Sequence, residues 1–152
     1  FPTRRPSDLK AIQKYRKANK KEKSREKRME YAYAIGECYR QIGDYEMAAL
    51  YYRNAVRRNH PDPKALLWNA EMLRATQKYE EALENYRAFL EEVPGDERAL
   101  NGIESIKHNQ RKGEHQQLGH ALGSVIYHNL QTDRGKIHRP AHPTINGGGF
   151  SG

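Results

Sequence analysis

MEYAYAIGECYRQIGDYEMAALYYRNAVRRNHPD at residues 29–62 is followed directly by PKALLWNAEMLRATQKYEEALENYRAFLEEVPGD at residues 63–96, and the two stretches carry one pattern. Tyr52 of the first copy is matched by Tyr86 of the second, thirty-four residues later. Each copy has two amphipathic segments of about a dozen residues joined by a short polar turn. A period of roughly 20 to 50 residues indicates stacked units that are each too small to bury their apolar face alone. The sequence therefore predicts an all-α helical-hairpin solenoid.

The pattern resembles the tetratricopeptide repeat (TPR), which has small, aromatic and turn residues at fixed positions of a 34-residue unit. Counted from Met29, the template positions are occupied by Gly36, Tyr39, Gly43, Tyr45, Ala48, Tyr52 and Ala55. Counted from Pro63, they are occupied by Ala70, Leu73, Tyr79, Ala82, Tyr86, Phe89 and Pro94. One departure is Gln77, which stands where the turn glycine is expected. The resemblance implies repeats at 29–62 and 63–96, with helices at 29–41, 44–58, 64–76 and 79–92.

The flanks of the repeats are predicted to extend the stack. Residues 1–28 form a basic entry segment and a partial repeat helix, capped by Ser7 or Asp8, because the spacing from Ala11 to Ala18 repeats that of the second helices. About three extra residues enter the lysine-rich connection at 19–28 as a longer loop or an extra helical turn. Residues 97–112 are predicted to form a capping helix.

The composition changes after Lys112, and residues 113–152 read as a flexible tail rich in glycine and histidine. Only 118–130 has enough apolar residues for a short helix, so an extended or disordered chain is expected from Gln131 onward. The tail is either an out-of-context segment or a ligand-like extension that occupies the groove of its own or a second copy of the chain.

The positive charge is confined to one arm. The formal net charge is +8, and residues 1–30, with 12 Lys/Arg against 4 Asp/Glu, account for all of it. The basic arm that includes Lys20, Lys21, Lys23 and Lys27 is either a solvated helix exterior or an electrostatic contact for nucleic acid or another anionic surface. Because the repeats themselves are neutral, nucleic acid is not the preferred partner.

The sequence offers no catalytic, metal-binding or cofactor-binding motif. The single cysteine, Cys38, is expected to be a packed thiol in the first helix of the first repeat. The tail histidines lack a metal-ligand spacing, and the run Gly147 to Gly149 follows no predicted strand. We therefore expect neither an enzyme nor a cofactor.

No segment has the length and apolar character of a transmembrane helix, and no signal peptide opens the chain, so a mature or excised soluble fragment is expected.

The TPR resemblance implies a concave groove lined by the first helix of each unit. Transferred to this sequence, the groove positions are Tyr33, Glu37, Arg40, Lys64, Leu67, Trp68, Glu71, Arg74, Arg98, Asn101, Ser105 and His108. Aromatic anchors beside paired arginines suit an extended peptide. The alternative is that Tyr33 and Trp68 only pack between adjacent helices. A carboxylate clamp of the chaperone-binding kind is disfavoured, because Glu37 and Trp68 stand where that clamp needs asparagine.

The run Tyr33–Arg40 and the later Lys78–Ala82 also resemble the amino-terminal TPR region of OmpA-family envelope lipoproteins of the Bacteroidetes, including a component associated with type IX secretion. The resemblance covers roughly residues 9–110. It implies a non-catalytic periplasmic or outer-membrane-associated module that binds a protein or peptide and scaffolds a secretion assembly involved in protein transport. Without it, a cytoplasmic location is expected. The tail does not resemble the β-propeller that follows in that family.

Overall fold

A computed structural model describes residues 6–134 of the chain and the side chains of residues 7–132. These residues form six helices and no strand: α1 (Pro6–Lys21), α2 (Arg25–Gln41), α3 (Tyr45–Val56), α4 (Lys64–Ala75), α5 (Tyr79–Glu92) and α6 (Glu97–Arg134). Helices α2 and α3 form one antiparallel hairpin, and α4 and α5 form the next. The all-α helical-hairpin fold is therefore confirmed. The predicted conformation of residues 135–152 lies outside the described part.

The two hairpin turns have the same geometry despite different sequences. Gly43 has φ 78° and Gln77 has φ 62°, so both adopt the left-handed conformation that follows a helix end. The next residue closes each turn, because Asp44 donates its backbone N–H to Tyr39 (3.0 Å) and Lys78 donates to Leu73 (2.8 Å). Gln77 thus performs the glycine's role at some conformational cost.

The core of the repeats is centred on two tyrosines. The rings of Tyr52 in α3 and Tyr86 in α5 are fully buried. Small residues allow this packing: a Cβ added to Gly36 would lie 3.0 Å from the Tyr52 ring, and one added to Gly102 would overlap the Tyr86 ring. The glycine of α2 therefore lets α3 approach closely, and the glycine of α6 does the same for α5.

The basic entry segment packs on the first repeat as a helix. Ile12 of α1 is buried in the shared core, and α1 contacts α2. Neither Ser7 nor Asp8 caps this helix, because α1 already begins at Pro6, a residue suited to the first helical turn. Helix α2 begins four residues before the predicted start, and Ser24 caps it by accepting from the backbone N–H of Lys27 (3.4 Å). The extra residues are thus accommodated as an extra helical turn.

Helix α6 differs most from the sequence prediction. A capping helix at 97–112 and a separate helix at 118–130 were expected, but one helix of 38 residues runs from Glu97 to Arg134. No proline interrupts this stretch, and isolated glycines only weaken a helix. The extended chain predicted from Gln131 is also wrong as far as Arg134.

The chain divides into two compact units, Phe1–Gln110 and Arg111–Gly152. In the described part of the second unit the large apolar side chains are more than half exposed: Leu118, Leu122, Val125, Ile126, Tyr127 and Leu130. None of the helices described in either unit is long and apolar enough to cross a membrane.

Candidate partner-binding groove

Three polar side chains of the first repeat form a closed cluster on the groove side of α2. Arg40 Nη2 donates to Glu37 Oε2 (2.7 Å), and Arg40 Nε donates to Tyr52 Oη (3.1 Å). Tyr52 Oη in turn donates to Glu37 Oε1 (2.5 Å). The glutamate and the arginine lie three residues apart on one helix, so they face the same tyrosine from α3. The cluster therefore joins the two helices of the repeat.

The second repeat contains the same cluster thirty-four residues later. Arg74 donates to Glu71 (2.8 Å) and to Tyr86 Oη (3.2 Å), and Tyr86 Oη donates to Glu71 Oε1 (2.8 Å). Burial raises the pKa of both phenols, Tyr52 and Tyr86, and the hydrogen bond to the neighbouring carboxylate raises it further. Both tyrosines therefore act as neutral donors.

Four predicted groove residues are thus already bonded inside their own repeat. The side chains of Glu37, Arg40 and Arg74 keep 26–34 % of their surface exposed, whereas Glu71 keeps 13 %. A partner could still touch the exposed guanidinium edges. Their buried edges hold the two helices of each hairpin together, and the rest of their surface stays exposed.

Trp68 contacts two arginines, one from the first repeat and one from α6. The Arg40 guanidinium carbon of the preceding repeat lies 4.1 Å from the indole centroid, and that of Arg98 from α6 lies 4.7 Å away. Both distances are within the range of a cation–π contact. Trp68 is half-buried, so the packing and groove alternatives are not exclusive. The ring packs against side chains of the neighbouring repeat and of α6, and it keeps part of its surface exposed.

The next position along the groove has no such aromatic side chain. Thirty-four residues after Trp68 the sequence has Gly102, and a cavity of about 500 Å³ opens there. Its lining consists of Glu71, Arg74, Glu97, Arg98, Asn101 and Gly102. Arg74, the repeat counterpart of Arg40, therefore faces open space where Arg40 faces an indole. We name this space the Gly102 cavity.

Two predicted aromatic or apolar anchors have other surroundings. Leu67 is buried in the core cluster with 6 % of its surface exposed, so little of its side chain is accessible to a partner. Tyr33 is half-buried, with its ring stacked on His60 at a centroid distance of 4.4 Å and in an edge-to-face arrangement with Tyr52 at 5.7 Å. Burial raises the pKa of Tyr33.

The remaining predicted residues are more accessible. Lys64, Arg98, Asn101 and His108 are exposed, and Ser105 is half-buried. In the basic arm, Lys20 and Lys21 end α1, Lys23 lies in the connection and Lys27 lies in the first turn of α2, and all four are exposed. Cys38 packs against the core, and burial raises the pKa of its thiol, which disfavours the reactive thiolate.

Sequence reasoning missed Gly102, Glu97 and His60. A comparison at the repeat spacing would have found Gly102, since it stands thirty-four residues after the tryptophan. His60 lies in the connection between repeats, where the groove template assigns no residue. Its stacking on Tyr33 depends on the path of that connection.

Residues 33–97 match the family model described as tetratricopeptide repeat. The match begins within α2, covers the rest of both hairpins and supports a TPR domain in this part of the chain. A search of curated proteins found no match. TPR repeats generally mediate protein–protein interactions and are typically non-catalytic, so the fold supports a scaffold module whose partner is a protein or peptide.

Proposed function

We propose that this chain is a non-catalytic TPR module that binds an extended segment of a protein partner, and that an aromatic side chain of the partner enters the Gly102 cavity. The observation that carries the proposal is the comparison of two equivalent positions. Arg40 stacks on Trp68, whereas Arg74 borders the Gly102 cavity, whose lining among the described residues includes no ring. A partner's aromatic residue would complete the repeated arrangement.

The size and polarity of the cavity fit such a guest. A volume of about 500 Å³ exceeds that of an aromatic side chain and leaves room for part of the partner's backbone. Burial of an aromatic residue removes roughly 150–250 Å² from water, and a cation–π contact adds about 0.5–2 kcal/mol. Two arginines and two glutamates border the space, so both the negative and the positive groups of a peptide can pair with an opposite charge there.

The exposed polar residues of α6 supply the orienting contacts. Asn101 can donate to and accept from a peptide backbone, and His108 lies seven residues, about two helical turns, further along α6. Ser105 lies between them. An extended segment would therefore run along α6 with its aromatic anchor beside Gly102.

The partner's setting is proposed from the resemblance of residues 9–110 to envelope lipoproteins. A partner within a bacterial envelope or secretion assembly fits a scaffold without catalytic chemistry. A cytoplasmic partner would leave the proposed contact itself unchanged.

The cavity can be blocked without disturbing the core. Asn101 is exposed at its rim, so Asn101→Trp would fill the space with a side chain of this chain. Peptides selected from a random displayed library against the full-length chain are expected to share an aromatic residue. Their affinity, measured by calorimetry, should fall at least about tenfold for Asn101→Trp, which corresponds to the loss of one buried anchor.

Asn109→Trp is the matched control, because Asn109 is an exposed asparagine of the same helix that does not line the cavity. It should bind the selected peptides as tightly as the parent chain. Equal binding by the parent, Asn101→Trp and Asn109→Trp would show that partners bind elsewhere.

A further inference from the structure

A second cavity lies in the first unit, away from the groove residues. It is a cleft of about 530 Å³ bordered by α1, α2 and α3, and we name it the basic cleft. Its charged lining consists of Arg16, Lys17 and Lys20 from α1 and Arg28 from α2. Within the part of the chain that the structure describes, no aspartate or glutamate lines it, so four cations share one small space.

These cations lack carboxylate partners among the described residues. None of the salt bridges there involves Arg16, Lys17, Lys20 or Arg28. Glu22, the acidic residue nearest to Lys20 in sequence, instead accepts from the backbone N–H groups of Lys23 (2.9 Å) and Ser24 (2.8 Å). Glu22 Oε1 is therefore engaged in the α1–α2 connection, and no salt bridge among the described residues joins Glu22 to the cleft.

The contact between the two repeats shows which charge the basic cleft lacks. There Arg53 of α3 pairs with Glu81 of α5 at 2.9 Å. Arg16 precedes Arg53 by thirty-seven residues, the same offset that relates the apolar positions of α1 to those of α3, whereas Met47 stands thirty-four residues before Glu81. Arg16 and Arg53 are thus equivalent cations, but only Arg53 has an anionic partner at the equivalent position.

Two neutral polar groups add hydrogen-bonding capacity to the cleft. Tyr51 lines it and stacks on Tyr39 with ring centroids 5.5 Å apart, which fixes the orientation of the Tyr51 ring. Asn19 also lines it, and its buried Oδ1 accepts no hydrogen bond from the described residues. A buried amide oxygen without a partner is costly, and a hydroxyl group of a ligand would satisfy it.

We propose that the basic cleft binds a compact anion that carries several phosphate groups. Clustered lysines and arginines bind phosphate through charge-assisted hydrogen bonds, and arginine can do so through two parallel bonds. The volume lies in the range of small-molecule sites, so a short polyphosphate or a phosphorylated polyol fits, whether free or as a lipid headgroup. The site is separate from the proposed peptide groove, and either can fail without the other.

The test uses the full-length chain with two soluble probes, tripolyphosphate and inositol hexakisphosphate, in calorimetric titrations at about 0.15 M salt, where weak surface attraction is largely screened. The variant Arg16→Gln/Arg28→Gln removes one guanidinium from each of two helices of the cleft. Its affinity is expected to fall at least about tenfold, because each lost arginine removes charge-assisted hydrogen bonds. Lys17→Gln/Lys20→Gln repeats the test without altering either arginine.

Arg57→Gln/Arg87→Gln is the control, since it removes the same charge from exposed arginines that do not line the cleft. Its affinity should change less than about threefold. Vesicles that contain a phosphoinositide, compared with phosphatidylserine vesicles of equal charge, distinguish a headgroup from a free anion. The proposal is overturned if neither soluble probe binds, or if the cleft variants and the control lose affinity equally. If a short oligonucleotide, titrated under the same conditions, bound while neither soluble probe did, the proposal would be overturned as well.

Discussion

The phenol groups of Tyr52 and Tyr86 each close a hydrogen-bonded ring with a glutamate and an arginine of the preceding helix. In both repeats the tyrosine donates to the carboxylate and accepts from the guanidinium. This residue-scale contact explains why an aromatic residue with a hydroxyl group, and not phenylalanine, occupies a fully buried position.

Removal of either phenol hydroxyl should destabilise the repeat. Tyr52→Phe and Tyr86→Phe are each expected to lower the free energy of unfolding by about 1–2 kcal/mol, because a charged acceptor loses its donor. The loss should be larger for Tyr86, whose partner Glu71 is less exposed than Glu37. Urea denaturation measures both. Tyr45→Phe, at an exposed position, is the control, and an equal effect there would contradict the role of the clusters.

Gln77 offers a stabilising change at the same scale. Its φ of 62° is unfavourable for a residue with a side chain, so Gln77→Gly should raise the free energy of unfolding by about 1 kcal/mol. Asn59→Gly, at φ 59°, should gain less, because asparagine tolerates this conformation better. Thermal unfolding would detect the difference. No gain at Gln77, or a larger gain at Asn59, would contradict the assigned strain.

The repeat template assigns each residue to a helix face, but it does not give the residue's contacts. Arg40 and Trp68 were both assigned to the groove from their positions, but their stacking depends on the distance between neighbouring hairpins, which a single repeat does not encode. Leu67 was assigned to the same face and is buried instead. A residue's position in the repeat gives the side of the helix on which it lies, whereas its burial depends on how closely the next repeat packs.

At the scale of elements, α2 to α5 follow the predicted bounds within a few residues, because turn residues and prolines punctuate the repeats. The long α6 was not predicted, because the change to a composition rich in glycine and histidine after Lys112 indicates a flexible tail. Those glycines have no neighbouring atom that requires them: a Cβ at Gly113, Gly119 or Gly123 would meet nothing within 4 Å. The composition change therefore marks a change in burial and not the end of the helix.

Glycine-to-alanine changes in α6 should have opposite effects in its two parts. Gly119→Ala is expected to increase helicity and to stabilise the helix by up to about 1 kcal/mol. Gly102→Ala should lower the free energy of unfolding by about 1–3 kcal/mol, because its Cβ would overlap the buried Tyr86 ring. Circular dichroism during denaturation measures both changes. Destabilisation by Gly119→Ala would contradict the continuous helix.

At the scale of the molecule, the two compact units differ in how much they bury. The repeats hold the core, whereas the large apolar side chains of the second unit from Leu118 to Leu130 are exposed. Amide hydrogens of α3 and α5 should therefore exchange slowly, and those of residues 118–130 should exchange much faster. Mass spectrometry after deuterium labelling would resolve these segments. Equal protection of both would contradict an uncovered helix and point to self-association through it.

The most direct test of the proposed groove uses Trp68, the only tryptophan in the sequence, which contacts Arg40 and Arg98. Arg98 also lines the Gly102 cavity, so occupation of that cavity should alter the surroundings of the indole. A selected peptide that contains phenylalanine or tyrosine, but no tryptophan, is titrated while the emission of Trp68 is recorded. The expected result is a saturable spectral change with the dissociation constant found by calorimetry. Asn101→Trp should show no such change. A blank titration of this variant without peptide corrects for its own added indole. Tight binding that leaves the Trp68 emission unchanged would contradict the groove as the binding site.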